Sequence, residues 1–183
     1  MDYTMTRRAA AAGSICAAVA WPQAARARQR FSFDRRLREL GLDLPDPPEP
    51  VATYAPFRRV SRTLYLAGLG PAQQDTPPKF GRVGANLTIE EGYRAARAAG
   101  LSVLALLRNA CGGSLDRVRQ CVRVDGYVAS ADTFHAQPQV MNGASDLFVE
   151  VFGEAGLHAR CAVGVNALPF NIPVEVATVW ELR

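Results

Sequence analysis

Hydrophobic and polar residues alternate along five segments of the chain, which is the period-2 pattern of half-buried β-strands. The segments are Val51–Val60, Thr63–Leu69, Val118–Val128, the run that follows Arg160, and Val174–Leu182. Residues 72–87 are rich in Gln, Pro, Gly and Asn and are expected to form a loop.

Two longer segments follow helical periodicity instead. The first begins at Thr88, which forms a T-x-x-E capping box with Glu91, and it ends at Gly112-Gly113. The second begins near Pro138, a residue that suits a first helical turn, and it ends at Gly153. One face of this second helix is apolar and consists of Val140, Ala144, Leu147, Phe148, Val151 and Phe152.

The resulting order, β-β-α-β-α-β-β, predicts an α+β fold with two helices packed on one face of a mixed β-sheet. The other face needs a cover from elsewhere, and oligomerisation is the simplest source. A short proline-bearing loop separates the last two strands, so they are predicted to pair as a hairpin. Arg160 would then start one strand and Glu175 its neighbour.

Arg160 is surrounded by small side chains and has room to bind an anion. Its planar guanidinium can hold a carboxylate through two parallel hydrogen bonds. The alternative is an arginine at a sheet edge that pairs with a nearby glutamate, because charged side chains usually lie on a solvated surface. The residues alone leave both interpretations open.

The N-terminal segment, residues 1–30, has the features of an export signal rather than of a folded domain. Arg7-Arg8 precede an alanine-rich apolar stretch, and Ala25-Arg26-Ala27 resembles a cleavage site. These features predict a twin-arginine signal and a periplasmic protein, with a disordered extension of a cytoplasmic protein as the alternative. Residues 31–50 are expected to form a short helix and a proline-rich linker, and residues 51–183 the folded domain.

The composition limits the classes of function. The 183 residues are 49% hydrophobic and 21% charged, as in globular proteins, and no apolar run is long enough to span a membrane. The net charge of +4 is weak and owes much to Arg7, Arg8 and Arg26, which argues against a nucleic-acid partner. The four cysteines show no C-x-x-C spacing, which argues against a zinc site.

Several short motifs resemble the RidA/YjgF family of reactive-intermediate deaminases, and in particular its YjgF endoribonuclease-like subgroup. The resemblance covers residues 40–183 and is carried by Gly84-x-x-Leu87-Thr88-x-Glu90-Glu91-Gly92, Asn142–Leu147, Val149–Gly156, Ala159-Arg160, Leu168-Pro169 and Pro173–Val176. It implies a chorismate-mutase-like fold and a homotrimer with clefts between subunits. It also implies hydrolysis of enamine or imine intermediates to 2-oxo acids and ammonia, without a metal or bound cofactor.

The resemblance also suggests site residues. Arg160 matches the arginine that holds the substrate carboxylate, Tyr54 a tyrosine near the cleft, and Asn142 an asparagine on a helix. Glu175 is the carboxylate that this chain keeps on its last strand, and we count it among the substrate-binding residues.

The chain departs from the family pattern at positions with polar groups. The sequence Ala67-Gly68-Leu69 replaces Ser-Gly-Gln, Ala177 replaces a glutamate expected to position or activate water, and Ala162 replaces a cysteine. Because imine hydrolysis needs water and proton transfer, these losses keep three functions open. They are a hydrolase with altered site chemistry, a catalytically weak module that binds small carboxylates, and, least favoured by the charge, an RNA-cleaving enzyme.

Overall fold

The computed structural model describes residues 32–47, 49–50, 52–72 and 80–183. Its helices are α1 (Phe33–Glu39), α2 (Ile89–Ala110) and α3 (Gln137–Phe152), and its strands are β1 (Phe57–Val60), β2 (Thr63–Leu69), β3 (Val118–Ala129), β4 (Ala159–Val165) and β5 (Val174–Leu182). Short 3-10 turns lie at Leu115–Arg117, Gly153–Gly156 and Pro169–Asn171. The proposed signal, residues 1–30, lies outside the described residues.

The five strands form one mixed sheet in the order β1-β2-β5-β3-β4. All neighbours are antiparallel except β3 and β4, which run parallel and are joined through α3. The prediction that the last two strands pair as a hairpin is therefore wrong, because β3 lies between β4 and β5. Residues 166–173 connect β4 to β5 past the end of β3, so this loop joins two strands that are not neighbours in the sheet.

The first strand is shorter than the sequence predicts. Its pairing with β2 begins at Phe57 opposite Leu66, and the described residues before it form bends. Pro56 cannot donate a backbone hydrogen bond, although its carbonyl accepts one from Ala67 N. The ladder therefore stops where proline removes a donor.

The capping box predicted for α2 is present. Thr88 Oγ1 accepts from Glu91 N at 3.2 Å, and Glu91 Oε2 accepts from Thr88 N at 2.9 Å. Each side chain therefore satisfies a backbone donor that the first helical turn leaves free. At the other end, Gly112 and Gly113 adopt positive φ values of 68° and 93°, which end the helix.

Helices α2 and α3 cross closely and cover one face of the sheet. All six residues predicted for the apolar face of α3 are buried. At Gly143 a Cβ atom would overlap the backbone oxygen of Tyr93, so glycine is required for the close approach. Trp180 of β5 packs against Phe148 and Phe152 of α3, with ring centroids 5.4 and 5.1 Å apart. The predicted α+β class, with helices on one face of a mixed sheet, is confirmed.

Helix α1 is joined to the turn before β3 by reciprocal caps. Asp116 accepts hydrogen bonds from Ser32 Oγ and Phe33 N, while Asp34 accepts from Ser114 Oγ and Leu115 N. Four donors at two helix starts are thus satisfied by two carboxylates. The short helix is part of the same compact unit as the sheet.

The opposite face of the sheet is not covered by the described residues. Its exposed apolar side chains include Tyr65, Val122 and Val163, each at least 40% exposed. Single exposed apolar residues are ordinary, but a group of them on one sheet face marks a surface of interaction. No described helix has the length and hydropathy that crossing a membrane would require.

Candidate functional site

A cavity of about 570 Å³ opens beside the junction of β2 and β5. Its walls are mostly apolar and come from distant parts of the chain, namely Pro45, Tyr54, Leu69, Phe80, Phe170 and Ile172. Small residues of β2, Ala67 and Gly68, form the floor where the pairing with β5 shifts register. Such register shifts are common beside binding sites.

Three carboxylates line this cavity, and Glu175 is the one that the sheet supplies, beside Asp46 and Glu49 from the segment before β1. It lies against Gly68 so closely that a Cβ atom there would overlap Glu175 Oε1. Burial raises the pKa of the Glu175 carboxyl above its ordinary value. Among the described residues the carboxylate has no hydrogen-bond or ion-pair partner, so it is available to a ligand.

The mouth of the cavity carries exposed aromatic side chains. Tyr54 is 46% exposed and Phe170 is 70% exposed. Phe170 and Asn171 have φ values of 57° and 58°, in the left-handed region that residues with a Cβ atom rarely adopt. Such strain is held in place by surrounding structure and is often found at binding sites.

Arg160 lies away from this cavity, on β4 at the edge of the sheet. Its Nη1 donates to Asn142 Oδ1 at 3.0 Å and to Ser145 Oγ at 2.9 Å, and its Nη2 donates to the Pro138 carbonyl at 3.2 Å. A guanidinium has five N–H groups, so two remain, one on Nε and one on Nη2. Among the described residues no carboxylate pairs with Arg160. Its orientation is therefore held by uncharged acceptors while its charge stays uncompensated.

Ser145 and His158 extend this cluster. Ser145 Oγ lies 3.0 Å from His158 Nε2, and His158 Nδ1 lies 2.7 Å from the Gly156 carbonyl oxygen. Burial and, to a lesser extent, the positive charge of Arg160 lower the pKa of His158 below its ordinary value, although the bond to Gly156 opposes them. These surroundings therefore favour the neutral imidazole.

The structure brings the predicted site residues together in two pairs rather than in one group. Arg160 and Asn142 form one pair, and Tyr54 and Glu175 line the cavity. Arg160 lies opposite the buried Val124 and points to the helix layer, whereas Glu175 lies opposite Tyr127 on the outer face. Sheet alternation thus places Arg160 and Glu175 on opposite faces, two strands apart.

Sequence reasoning did not assign roles to Ser145 and His158. The available signal was spacing: Ser145 follows Asn142 by three residues, one helical turn, and His158 precedes Arg160 by two. The cluster appears only when α3 is placed over β4. Among the described residues no group of three or more His, Cys, Asp or Glu side chains could hold a metal ion.

The mixed sheet, the helix layer and the edge arginine define a class of small α+β proteins with a chorismate-mutase-like architecture. The family described as "YjgF/chorismate mutase-like, putative endoribonuclease" matches residues 34–182. The chain therefore belongs to the RidA/YjgF family, as the sequence motifs predict.

Three other proteins are similar to this chain over most of its length. Protein TCP17 from Trypanosoma cruzi is 42% identical over 148 residues, which cover 80% of this chain and 92% of that protein. The crystal structure of Atu1372 from Agrobacterium tumefaciens, described as of unknown function, is 37% identical with a TM-score of 0.76, covering 82% of this chain and 92% of that one. A "putative endoribonuclease" from Shewanella oneidensis MR-1 is 35% identical with a TM-score of 0.79, covering 83% of this chain and all of that one.

Proposed function

We propose that the protein hydrolyses small imines or enamines that carry a carboxylate, releasing 2-oxo acids and ammonia. The observation that carries the proposal is that Arg160 is held in a fixed orientation while its charge is not neutralised. Three uncharged acceptors orient its guanidinium, no described carboxylate neutralises it, and two of its five N–H groups are not used in these bonds. A charge-assisted pair of hydrogen bonds to a ligand carboxylate suits this geometry.

We propose further that the working unit is a homotrimer whose clefts combine the two halves of the site. One half is a cavity with a carboxylate, Glu175, that has no partner in the described part of the chain, and with no cation among the described residues that line it. The other half is a cation, Arg160, on an edge strand, and no carboxylate of the described residues pairs with it. The uncovered sheet face gives the copies a surface to share, and closed symmetry lets every copy contribute both halves.

In this arrangement each residue has a separate task. Arg160 binds the substrate carboxylate, Asn142 holds the guanidinium in place, and Tyr54 and Glu175 contact the rest of the substrate from the neighbouring copy. The raised pKa of Glu175 suits a group that gives a proton to the substrate nitrogen, since protonation makes an imine carbon easier for water to attack. The proposed reaction draws on no metal and no bound cofactor.

A second candidate is a module that binds small carboxylates and catalyses weakly or not at all. The observation that favours it is that two positions near Glu175 carry alanine. Ala67 lines the cavity and Ala177 is the next outward residue of β5, and neither offers a hydroxyl or a carboxyl. RNA cleavage, the activity in the names of some relatives, is the third candidate.

One assay separates these functions. A 2-aminoacrylate-type imine is generated freshly by a pyridoxal-phosphate enzyme, and ammonia and 2-oxo acid are followed with and without the protein. We expect release above the spontaneous rate. Spontaneous release together with measurable 2-oxo acid binding would support the binding module instead. Cleavage of RNA in a parallel reaction, with no effect on the imine, would support the third candidate.

A further inference from the structure

The hydroxyl of Ser145 lies between a cation and a base. Arg160 Nη1 donates to Ser145 Oγ at 2.9 Å, and the same oxygen lies 3.0 Å from His158 Nε2. A hydroxyl has one proton to donate and two lone pairs to accept with. The arrangement of the other groups decides where the proton of Ser145 goes.

The carbonyl of Gly156 determines the tautomer of His158. A carbonyl oxygen only accepts, so the contact of 2.7 Å requires the imidazole proton on Nδ1. In the neutral ring Nε2 then carries a lone pair, and Ser145 donates to it. One lone pair of Ser145 Oγ takes the bond from Arg160, and the other can accept a proton from a water molecule.

We propose that Ser145 and His158 form a proton relay that serves the water attacking a ligand held by Arg160. The inference rests on the proposed function and adds a catalytic base on Arg160's own side of the sheet. Ser145 is the catalytic residue because it touches the water, and His158 acts through it. Glu175 of the same chain cannot take this role, since it lies on the opposite face.

The proton balance closes between the relay and the Glu175 carboxyl of the neighbouring copy. Water forms a bond to the imine carbon, the C=N π electrons move to nitrogen, and nitrogen takes a proton from that Glu175 carboxyl. As water attacks, it gives a proton to Ser145 Oγ while the Ser145 proton passes to His158 Nε2. The imidazolium returns that proton by the same path to the amine, which leaves as ammonia. The carbinol oxygen gives its proton to the Glu175 carboxylate, which restores the donor, and becomes the carbonyl of the 2-oxo acid.

The surroundings of His158 suit a base that stays neutral. Phe148 of α3 packs edge-on against the ring at 6.0 Å between centroids, and burial disfavours the charged form. The charged group that acts on the ring is Arg160 on β4, and it also opposes protonation. From α3 the ring meets the Ser145 hydroxyl, and from the turn after α3 the Gly156 carbonyl. Proton acceptance is therefore available above the lowered pKa of His158 and is lost as pH falls through it.

The experiment compares His158→Gln, which keeps a hydrogen-bonding group but removes the base, with His135→Gln at the exposed second histidine. We expect His158→Gln to lower kcat on the freshly generated imine by about 10²-fold or more, with KM changed less than about twofold. The wild type should lose rate as pH falls through the lowered pKa of His158, and this acid limb should be absent from His158→Gln. His135→Gln should match wild type throughout.

Variants of Ser145 complete the test. Ser145→Ala removes the relay and one partner of Arg160, so kcat should fall and KM should rise, and Ser145→Thr should recover much of kcat. A purely structural role predicts instead that His158→Gln lowers the melting temperature and ligand affinity but keeps kcat and the acid limb. That result would overturn the relay.

A measurement on the resting protein distinguishes failure of the proton relay from failure of the proposed imine hydrolysis. Nitrogen NMR of His158 in the resting protein should show the Nδ1–H tautomer at pH 7. The Nε2–H tautomer would end the relay even if imines are hydrolysed. Ammonia release at only the spontaneous rate would end the proposed function and the catalytic role of the relay with it, whereas slow turnover by His158→Gln beside an active wild type would support both.

Discussion

Arg160 shows how a single side chain can be oriented without being neutralised. The sequence allowed an anion site or a surface ion pair, and the structure pairs the guanidinium with an amide, a hydroxyl and a carbonyl instead. Uncharged acceptors use up donors but leave the charge in place. Such a guanidinium can still bind a ligand carboxylate strongly, because nothing has to be displaced.

Removal of this charge should therefore affect binding more than folding. We expect Arg160→Ala to weaken binding of pyruvate or 2-oxobutyrate by about 2–4 kcal/mol. Loss of the hydrogen bonds to α3 should lower the free energy of unfolding by about 1 kcal/mol, since the residue is exposed. Arg160→Lys should recover binding only in part because it lacks the planar fork. Calorimetric titration and melting curves measure both effects.

The control is Arg94→Ala, which removes an exposed arginine from α2. It should change neither affinity nor stability appreciably. Equal affinities of wild type and Arg160→Ala would contradict the carboxylate site, and a large fall in melting temperature with unchanged affinity would assign Arg160 a structural role.

At the scale of secondary-structure elements, the close packing of α2 against α3 depends on one glycine, Gly143, which has no side chain. Gly143 lets the backbone of α3 meet that of α2 at Tyr93, and no flexible side chain there could move aside. Arg97 and Glu150 then bridge the same two helices at 2.7 Å. The helix layer is therefore sensitive to size at Gly143.

We expect Gly143→Ala to lower the free energy of unfolding by about 3 kcal/mol, at the upper end for overpacking, because the obstacle is backbone. Denaturant unfolding followed by circular dichroism measures the change. Gln139→Ala, at an exposed position of α3, is the matched control and should stay within about 0.5 kcal/mol of wild type. A Gly143→Ala protein as stable as wild type would show that the helices can separate without cost.

The sequence predicts the helices and strands more accurately than it predicts which of them lie next to each other in the sheet. The capping box at Thr88 and the apolar face from Val140 to Phe152 are local patterns, and both are confirmed. Strand alternation shows which residues share a face, but β4 and β5 would alternate in the same way with or without β3 between them. The pairing of Arg160 with Ser145 depends on that non-local arrangement, so no pattern within either segment reveals it.

At the scale of the whole molecule, the uncovered sheet face and the two separated half-sites support an assembly of several copies. We expect light scattering at micromolar concentration to give the mass of three chains. Tyr65→Asp should dissociate the assembly because it places a charge in the shared face, whereas Val149→Asp, on the opposite layer, should not. A monomeric wild type would contradict the trimer.

The location of the protein is a second prediction at this scale. We expect the mature chain to begin after about Ala27 and to be periplasmic, because Arg7-Arg8 and the alanine-rich stretch after them have the pattern of a twin-arginine signal. Mass spectrometry of protein from its native host measures the N-terminus. Intact Met1, or recovery from the cytoplasmic fraction, would contradict the prediction, and Arg7→Lys with Arg8→Lys should block export.

The two half-sites differ in how far apart their parts lie along the chain. Arg160 takes all three of its acceptors from the 22 residues before it, between Pro138 and Ser145. The cavity instead joins Tyr54 and Gly68 to Glu175, across more than a hundred residues. Contacts between residues that are close in sequence form early in folding and persist when the protein unfolds in part. Contacts between distant residues require the fully paired sheet. Loosening of β1 or β2 should therefore disrupt the cavity while the hydrogen bonds of Arg160 to α3 remain.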